Sequence, residues 1–300
     1  MSEQPSGTAE PLSISELSLN NPVLLSRSVK KVCEDLLGFL ITFAENASDT
    51  PVESTHQIRK KLKFFRAFVK LLKPYHSMEK VKEVNILLRD FGRIFSDLRD
   101  AHVRALMIDE FQNDPSFGHS LSDLQALDKR NKNEIKQLET GLFEPQNRFL
   151  HFAGELKQSE VLKEYLNISN PDPESIIDTF RDGFEKSANA YQLAFESNDP
   201  DHMHEWRKRL KDVQYQFELI LINLSNPLLE SYNSVVLLCD HLGRYNDLDM
   251  FFHWLAQIDH DFQSNADSTI GHKLKVQIDE LYPIIKRLGE ELYMNSPFET

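Results

Sequence analysis

HQIRKKLKFFRAFVKLLK, residues 56–73, carries seven Lys or Arg and no acid. At 100° per residue, Arg59, Lys60, Lys63, Arg66 and Lys70 fall within roughly 80° of His56 around a helix. Ile58, Leu62, Phe65, Phe68, Val69 and Leu72 fall on the other side. The spacing predicts an amphipathic helix with a cationic face about 21 Å long between residues 56 and 70, at 1.5 Å per residue. Ser54 and Gln57 stand at capping-box spacing and place its start just before His56. Like charges three or four apart, as in Arg59 with Lys63 and Arg66 with Lys70, each cost about 0.2–0.5 kcal/mol on a solvated face. Such a stripe calls either for acids from a neighbouring helix or for an anionic ligand.

The remainder of the chain makes the stretch stand out. Across 300 residues, 34 Lys and Arg face 47 Asp and Glu, for a net charge of -13; without the seven of 56–73 the balance is 27 against 47. An acidic body is repelled by nucleic acid and anionic membranes as a whole, so the concentrated positive charge points to a local anion site. A hydrophobic content of 40% supports a large core. Cys33 and Cys239 sit in apolar helical patterns and read as buried thiols of a reduced compartment. No leader and no uncharged apolar run of spanning length is visible, so no membrane association and a cytoplasmic location are expected.

Residues 1–20 read as a flexible tail and 21–300 as a single domain. Asn170-Pro171-Asp172-Pro173 divides it into helical halves, about 21–168 and 172–300. Helical periodicity recurs through both, and no alternating β-branched strand pattern occurs, so the expected fold class is all-α. Asp100 is placed as the N-cap of a helix running to Phe111, Asp199 as a cap before Pro200, and Asn246-Asp247 as the opening of a helix after a break at Gly243.

His56, Arg59, Lys60, Lys61, Leu62 and Lys63 recur as His204, Arg207, Lys208, Arg209, Leu210 and Lys211, an offset of 148, and Arg99-Asp100 recurs as Asn246-Asp247 at 147. Two landmarks at nearly one offset indicate an internal duplication that relates the two basic helices by symmetry. With these H-x-x-R-K-x-L-K helices, the Leu98-Arg99-Asp100 element and Leu242-Gly243 leading to Asp247, the chain resembles the CHAD family, the conserved histidine α-helical domain, over roughly residues 22–295. The resemblance implies two pseudo-symmetric helical bundles with a basic cavity between them, binding of inorganic polyphosphate and association with polyphosphate granules. It also implies that His56, Arg59, Lys60, Lys63, Arg66 and Lys70 line the site from one half and His204, Arg207, Lys208 and Lys211 from the other, with Lys30 and Arg181 on the preceding helices as weaker contributors. Asp212 and Gln214 shorten the second basic helix's cationic face, so the second half is expected to contribute less.

The chemistry of the residues agrees. Lys supplies mobile point charges and Arg bidentate forks for a polymer charged at every repeat. His among cations favours its neutral form until a phosphate arrives. Glu replacements of Arg59 and Lys63 together should abolish polyanion binding at little cost in stability if both charges are exposed. Against a phosphate-ester or metal-dependent hydrolase, no Gly-rich phosphate loop, nucleophile elbow, E-x-E-x-K signature or H-E-x-x-H spacing is present, and each candidate His is followed by cations; no cofactor or metal is expected. His260-Asp261 reads as surface chance. Nucleic acid is the rival polyanion, but Phe64, Phe65 and Phe68 lie off the cationic face and offer no stacking platform. A helical scaffold holding an acidic protein by its basic stripe is the third reading.

Overall fold

The computed structural model describes residues 14–197, 200–223, 226–258 and 269–298, and among these no strand occurs. Helix α1, Pro22–Glu45, opens on Asn21, whose side chain accepts from the Leu24 amide, with Pro22 at the first helical position. It buries Leu25, Val29, Val32, Leu36 and Leu40, the apolar stripe of its periodicity.

The basic helix, α2, spans Pro51–Leu71 and therefore starts five residues before His56. The expected Ser54–Gln57 capping box is not formed: Ser54 is buried inside the helix with its hydroxyl 3.2 Å from that of Thr50, and Gln57 donates to Glu53 at 2.6 Å. Pro51, whose φ is pre-set for a first helical residue, outweighs the side-chain signal. A 3₁₀ turn at Lys73–Tyr75 leads into α3, Met78–Ile94, and α4 runs from Ser96 to Asn113. Asp100 thus lies inside α4 and is not its cap.

After a 3₁₀ segment at Pro115–Ser120 come α5, Leu121–Phe143, α6, Arg148–Gln158, and α7, Glu160–Leu166. Asn170 takes the left-handed conformation (φ 49°) that short polar side chains tolerate. Asp172 then caps α8, Pro173–Glu196, accepting from the amides of Glu174 and Ser175 at 3.2 Å each. α9 covers Pro200–Ile220, Leu221–Asn223 is a 3₁₀ turn, α10 covers Asn226–Ile258 and α11 Thr269–Met294, with Pro283 inside it. The break expected at Gly243 is absent: α10 passes through it without interruption, so Asp247 is mid-helix and not a cap. Asp199 and His260-Asp261 lie outside the described residues.

The amino-terminal segment is a further correction. Residues 14–20 are not a free tail: Leu17 is fully buried, its amide donates to the Leu219 carbonyl at 2.6 Å, and Asn223 donates from its side chain to the Leu17 carbonyl at 2.7 Å. Leu17 supplies the burial, and the carboxamide of Asn223 satisfies the backbone carbonyl buried with it.

α2 occupies the centre, packing against α1, α3, α4, α8 and α9. The larger buried cluster draws on both sides of residue 170, including Phe65, Phe68, Phe95, Phe149, Phe180, Trp206 and Phe217. Tyr165 anchors α7 beneath α2 by donating to the Val69 carbonyl at 2.8 Å, and the Trp206 indole donates to the Tyr293 hydroxyl at 3.0 Å. A second cluster, with Phe111, Phe117, Phe251 and Leu274, joins α4 and α5 to α10 and α11. Cys33 and Cys239 are both buried free thiols, each pushed up to about 12 with burial as the leading cause. Helices of 24 and 21 residues followed by a three-residue 3₁₀ turn occur at the start of the chain's first half and again, in the same order, from Pro173.

Candidate anion-binding site

Burial of Ile58, Leu62, Phe65, Phe68 and Val69 fixes the rotation of α2 and turns its cationic side toward α3, α4 and α9. Arg59 is the most embedded in polar contacts. Its guanidinium donates to the Gly92 carbonyl at 2.8 Å and to the Ser96 hydroxyl, both at the α3–α4 junction, where a helix end leaves carbonyls without partners. Burial lowers its pKa, against the nearby carboxylates of Asp100 and Asp97. Arg59 is therefore half-buried and structurally engaged, which corrects the premise that it is an exposed charge replaceable without cost to the fold.

Lys63 is the electrostatic focus. The residue is exposed overall, and loss of water around its ammonium, with Arg59, Arg207 and Arg99 nearby, lowers its pKa to about 8. Arg207 belongs to α9, so the cations of the two halves meet here. His56 is held below the usual imidazole range by burial and then by Arg99, with smaller contributions from Lys60 and Lys63 against the opposing Glu53. His204 is lowered likewise by burial, Lys208 and Arg207, while a hydrogen bond with Asn246 acts in the other direction. Each histidine thus faces the residue of its own half that opens the Arg99-Asp100 or Asn246-Asp247 pair. Asp247 in turn acts on Arg99 across the halves. Four cations surround Asp100, but burial outweighs them and raises its pKa.

Several predicted cations are paired internally. Lys70 is bonded to Asp212 of α9. Lys60, although exposed, shares with Lys61 and Lys211 the field of Glu218, whose own pKa burial raises. Lys61 lies over the Phe39 and Phe64 rings at 5.0 and 5.3 Å. Lys208 is 3.8 Å from Glu205, and Lys211 donates to Gln214 at 2.7 Å while lying over the Tyr215 ring. Lys30 sits 3.9 Å from Glu34 on an open face of α1. Arg181 bonds to Asp178 and lines a different cleft, beside Ser18–Asn20, so its described contacts lead away from α2. An acid of α9 therefore accounts for the carboxyl-terminal part of the stripe at Lys70, whereas Arg59 and Lys63 lie in the field of Asp100 of α4, which is shared among several cations.

Arg59, Lys63 and Arg66 share a cavity of about 160 Å³ with Arg89 and Arg93 of α3. Gly92 lies on its wall, and a Cβ built there meets nothing within 4 Å. Arg89 and Arg93 both bond to Asp90, at 3.0 and 3.3 Å, so two guanidinium groups share one carboxylate. The Nε groups of Arg59 and Arg66 are buried and make no hydrogen bond. Arg89, Arg93 and Arg99 are absent from the predicted set; an Arg-x-x-x-Arg spacing around Gly92 was the available signal, visible as a site only once α3 lies against α2. Phe64, Phe65 and Phe68 are buried. Among the described residues no group of three or more His, Cys, Asp or Glu is placed to hold a metal ion, and no helix is long and apolar enough to cross a membrane.

A family model described as the CHAD domain matches residues 37–256. The crystal structure of the CHAD domain from the plant Ricinus communis superposes with a TM-score of 0.58, covering 97% of this chain and 97% of that one at 15% sequence identity, a likeness of fold. No curated protein matches the chain in sequence.

Proposed function

The chain belongs to the CHAD domain family, and from that premise we propose that it is a non-catalytic module that binds inorganic polyphosphate, in the cytoplasm and on polyphosphate granules. The observation that carries the reading is the run Arg59, Lys63 and Arg66, facing Arg207 of α9 and leaving two buried guanidinium N–H groups without acceptors. A polymer bearing one negative charge per unit supplies acceptors at the spacing such a run needs. Internal duplication is supported by the repeated 24- and 21-residue helices and by the matching environments of His56 and His204. His56, Arg59, Lys63, Arg66 and Arg207 are the core of the proposed surface. Lys60, Lys70, His204, Lys208 and Lys211 extend it where their partners within the protein release them.

Among the described residues Phe64, Phe65 and Phe68 of α2 are buried and form no exposed aromatic platform, which favours polyphosphate over single-stranded nucleic acid. The test is calorimetric titration of long-chain polyphosphate and of single-stranded DNA of equal charge at two salt concentrations. Salt-dependent polyphosphate binding that DNA does not displace is expected. Equal competition by DNA, or no binding at low salt, would refute the assignment.

A further inference from the structure

We infer that the cavity between α2 and α3, where Arg59, Lys63 and Arg66 of the run are joined by Arg89 and Arg93, is the subsite of that surface that receives a single phosphoryl group, the end of a polyphosphate chain or a free orthophosphate. The inference rests on the proposed polyphosphate reading for the first of these sources and stands without it for the second.

Size comes first. The cavity of about 160 Å³ opens to solvent and admits a group the size of one phosphoryl unit. Charge comes next. Arg59, Lys63, Arg66, Arg89 and Arg93 line the cavity, and the acid bonded to them from the wall's own helix is Asp90, shared by two of them. A terminal phosphoryl group carries up to twice the charge of an internal one, so it gains most from the densest cluster. Donors come third: the buried Nε–H groups of Arg59 and Arg66 have no hydrogen-bond partner among the described residues, and a buried charged donor is unfavourable until an acceptor reaches it. Finally there is the wall: Gly92 lines it, glycine is a poorer helix former than alanine, and a Cβ built at Gly92 would meet nothing within 4 Å.

The other half lacks this device. At the offset of 148, Gln214, Leu237, Asp240 and His241 stand in place of Arg66, Arg89, Gly92 and Arg93. Three cations are lost and a carboxylate enters where the glycine was. The cavity is thus a property of the first half, which a merely duplicated basic surface would not require.

The experiment titrates tripolyphosphate, orthophosphate and long-chain polyphosphate into the full chain and into three variants: Arg89→Gln with Arg93→Gln, Gly92→Glu, and Lys157→Gln as a surface control on α6 that pairs with Glu45. Melting of each variant checks that it folds; Gly92→Glu keeps every cation, and its Cβ meets no atom within 4 Å, so it remains informative if the arginine pair disturbs α3. One tripolyphosphate per chain is expected, bound at least tenfold more weakly by the arginine pair and by Gly92→Glu and equally by Lys157→Gln. Orthophosphate that displaces it at similar concentration identifies free phosphate as the ligand; displacement only at hundredfold excess identifies a chain end. Tripolyphosphate binding unchanged in both cavity variants, or absent in the wild type, overturns the inference. Loss of long-chain binding alone, with the tripolyphosphate result intact, would instead sink the polyphosphate function and leave the cavity assigned to free phosphate.

Discussion

Titration of Lys63 ties the site's geometry to a measurable pH dependence. In the empty protein its pKa lies at about 8 against the ordinary 10.5, because burial and the cations Arg59, Arg207 and Arg99 disfavour a further positive charge. A bound polyanion reverses the second cause and moves the value back toward 10.5. Linkage then gives a fall in affinity of up to about tenfold between pH 7 and pH 9, and an uptake of about half a proton per site on binding at pH 8. Titration calorimetry in two buffers of different ionisation enthalpy reads both quantities in one series. Lys63→Arg keeps its charge throughout and should flatten the curve. In the unliganded protein the sign is opposite: the unfolded chain holds the Lys63 proton from about pH 8 to 10.5 while the folded chain does not, so this residue's contribution to stability improves as pH rises through that window. A wild-type affinity that changes less than twofold from pH 7 to 9, or the same fall in Lys63→Arg, would refute the placement of this ammonium in the site.

Two further outcomes follow from the described contacts. His56 is held below the normal imidazole range first by burial and then by Arg99, so it is neutral in the empty site at pH 7 and charged on contact with phosphate; polyphosphate affinity should rise from pH 7.5 to 5.5 and the rise should shrink in His56→Asn, as followed by calorimetry. Gly289 and Gly92 should respond oppositely to alanine: a Cβ at Gly289 lies 2.5 Å from the Tyr191 ring and 3.2 Å from Trp206, costing about 1–3 kcal/mol by overpacking, whereas Gly92→Ala meets open space and should gain about 0.5–1 kcal/mol, both read from urea denaturation.

The sequence made the central helix legible because a 3.6-residue period survives without any tertiary information, and Phe65 and Phe68 stand where that period puts them. Local capping signals were weaker guides. Ser54–Gln57 has the right spacing, but Pro51 begins the helix earlier; Asp100 and Asp247 are typical N-cap residues, yet α4 begins at Ser96 and α10 continues through Gly243. Both aspartates instead sit mid-helix beside Arg99, where their charges act on the site. Pairing of Lys70 by Asp212, 142 residues away, has no local signature. Arg89 and Arg93 have the local Arg-x-x-x-Arg spacing, but their role depends on α3 lying against the α2 stripe.

The division of the stripe explains how one helix serves both stability and binding. Toward its carboxyl end, Lys70 and the adjoining Lys73 are held by Asp212 of α9 and Asp182 of α8, so these charges help dock α2 on the second half and are lowered in availability to a ligand. Toward its amino end no acid of α9 faces Lys63; Arg207 does. Replacing Arg207 by an acid would stabilise the empty interface and neutralise the site together, because one cluster of like charges sets both quantities. The empty site is thus kept at a cost in self-repulsion, and a ligand that brings negative charge removes that cost in addition to its own contacts. Its binding energy is consequently larger than hydrogen-bond counting suggests and falls with added salt, which screens the repulsion in the empty state as well as the attraction in the occupied one.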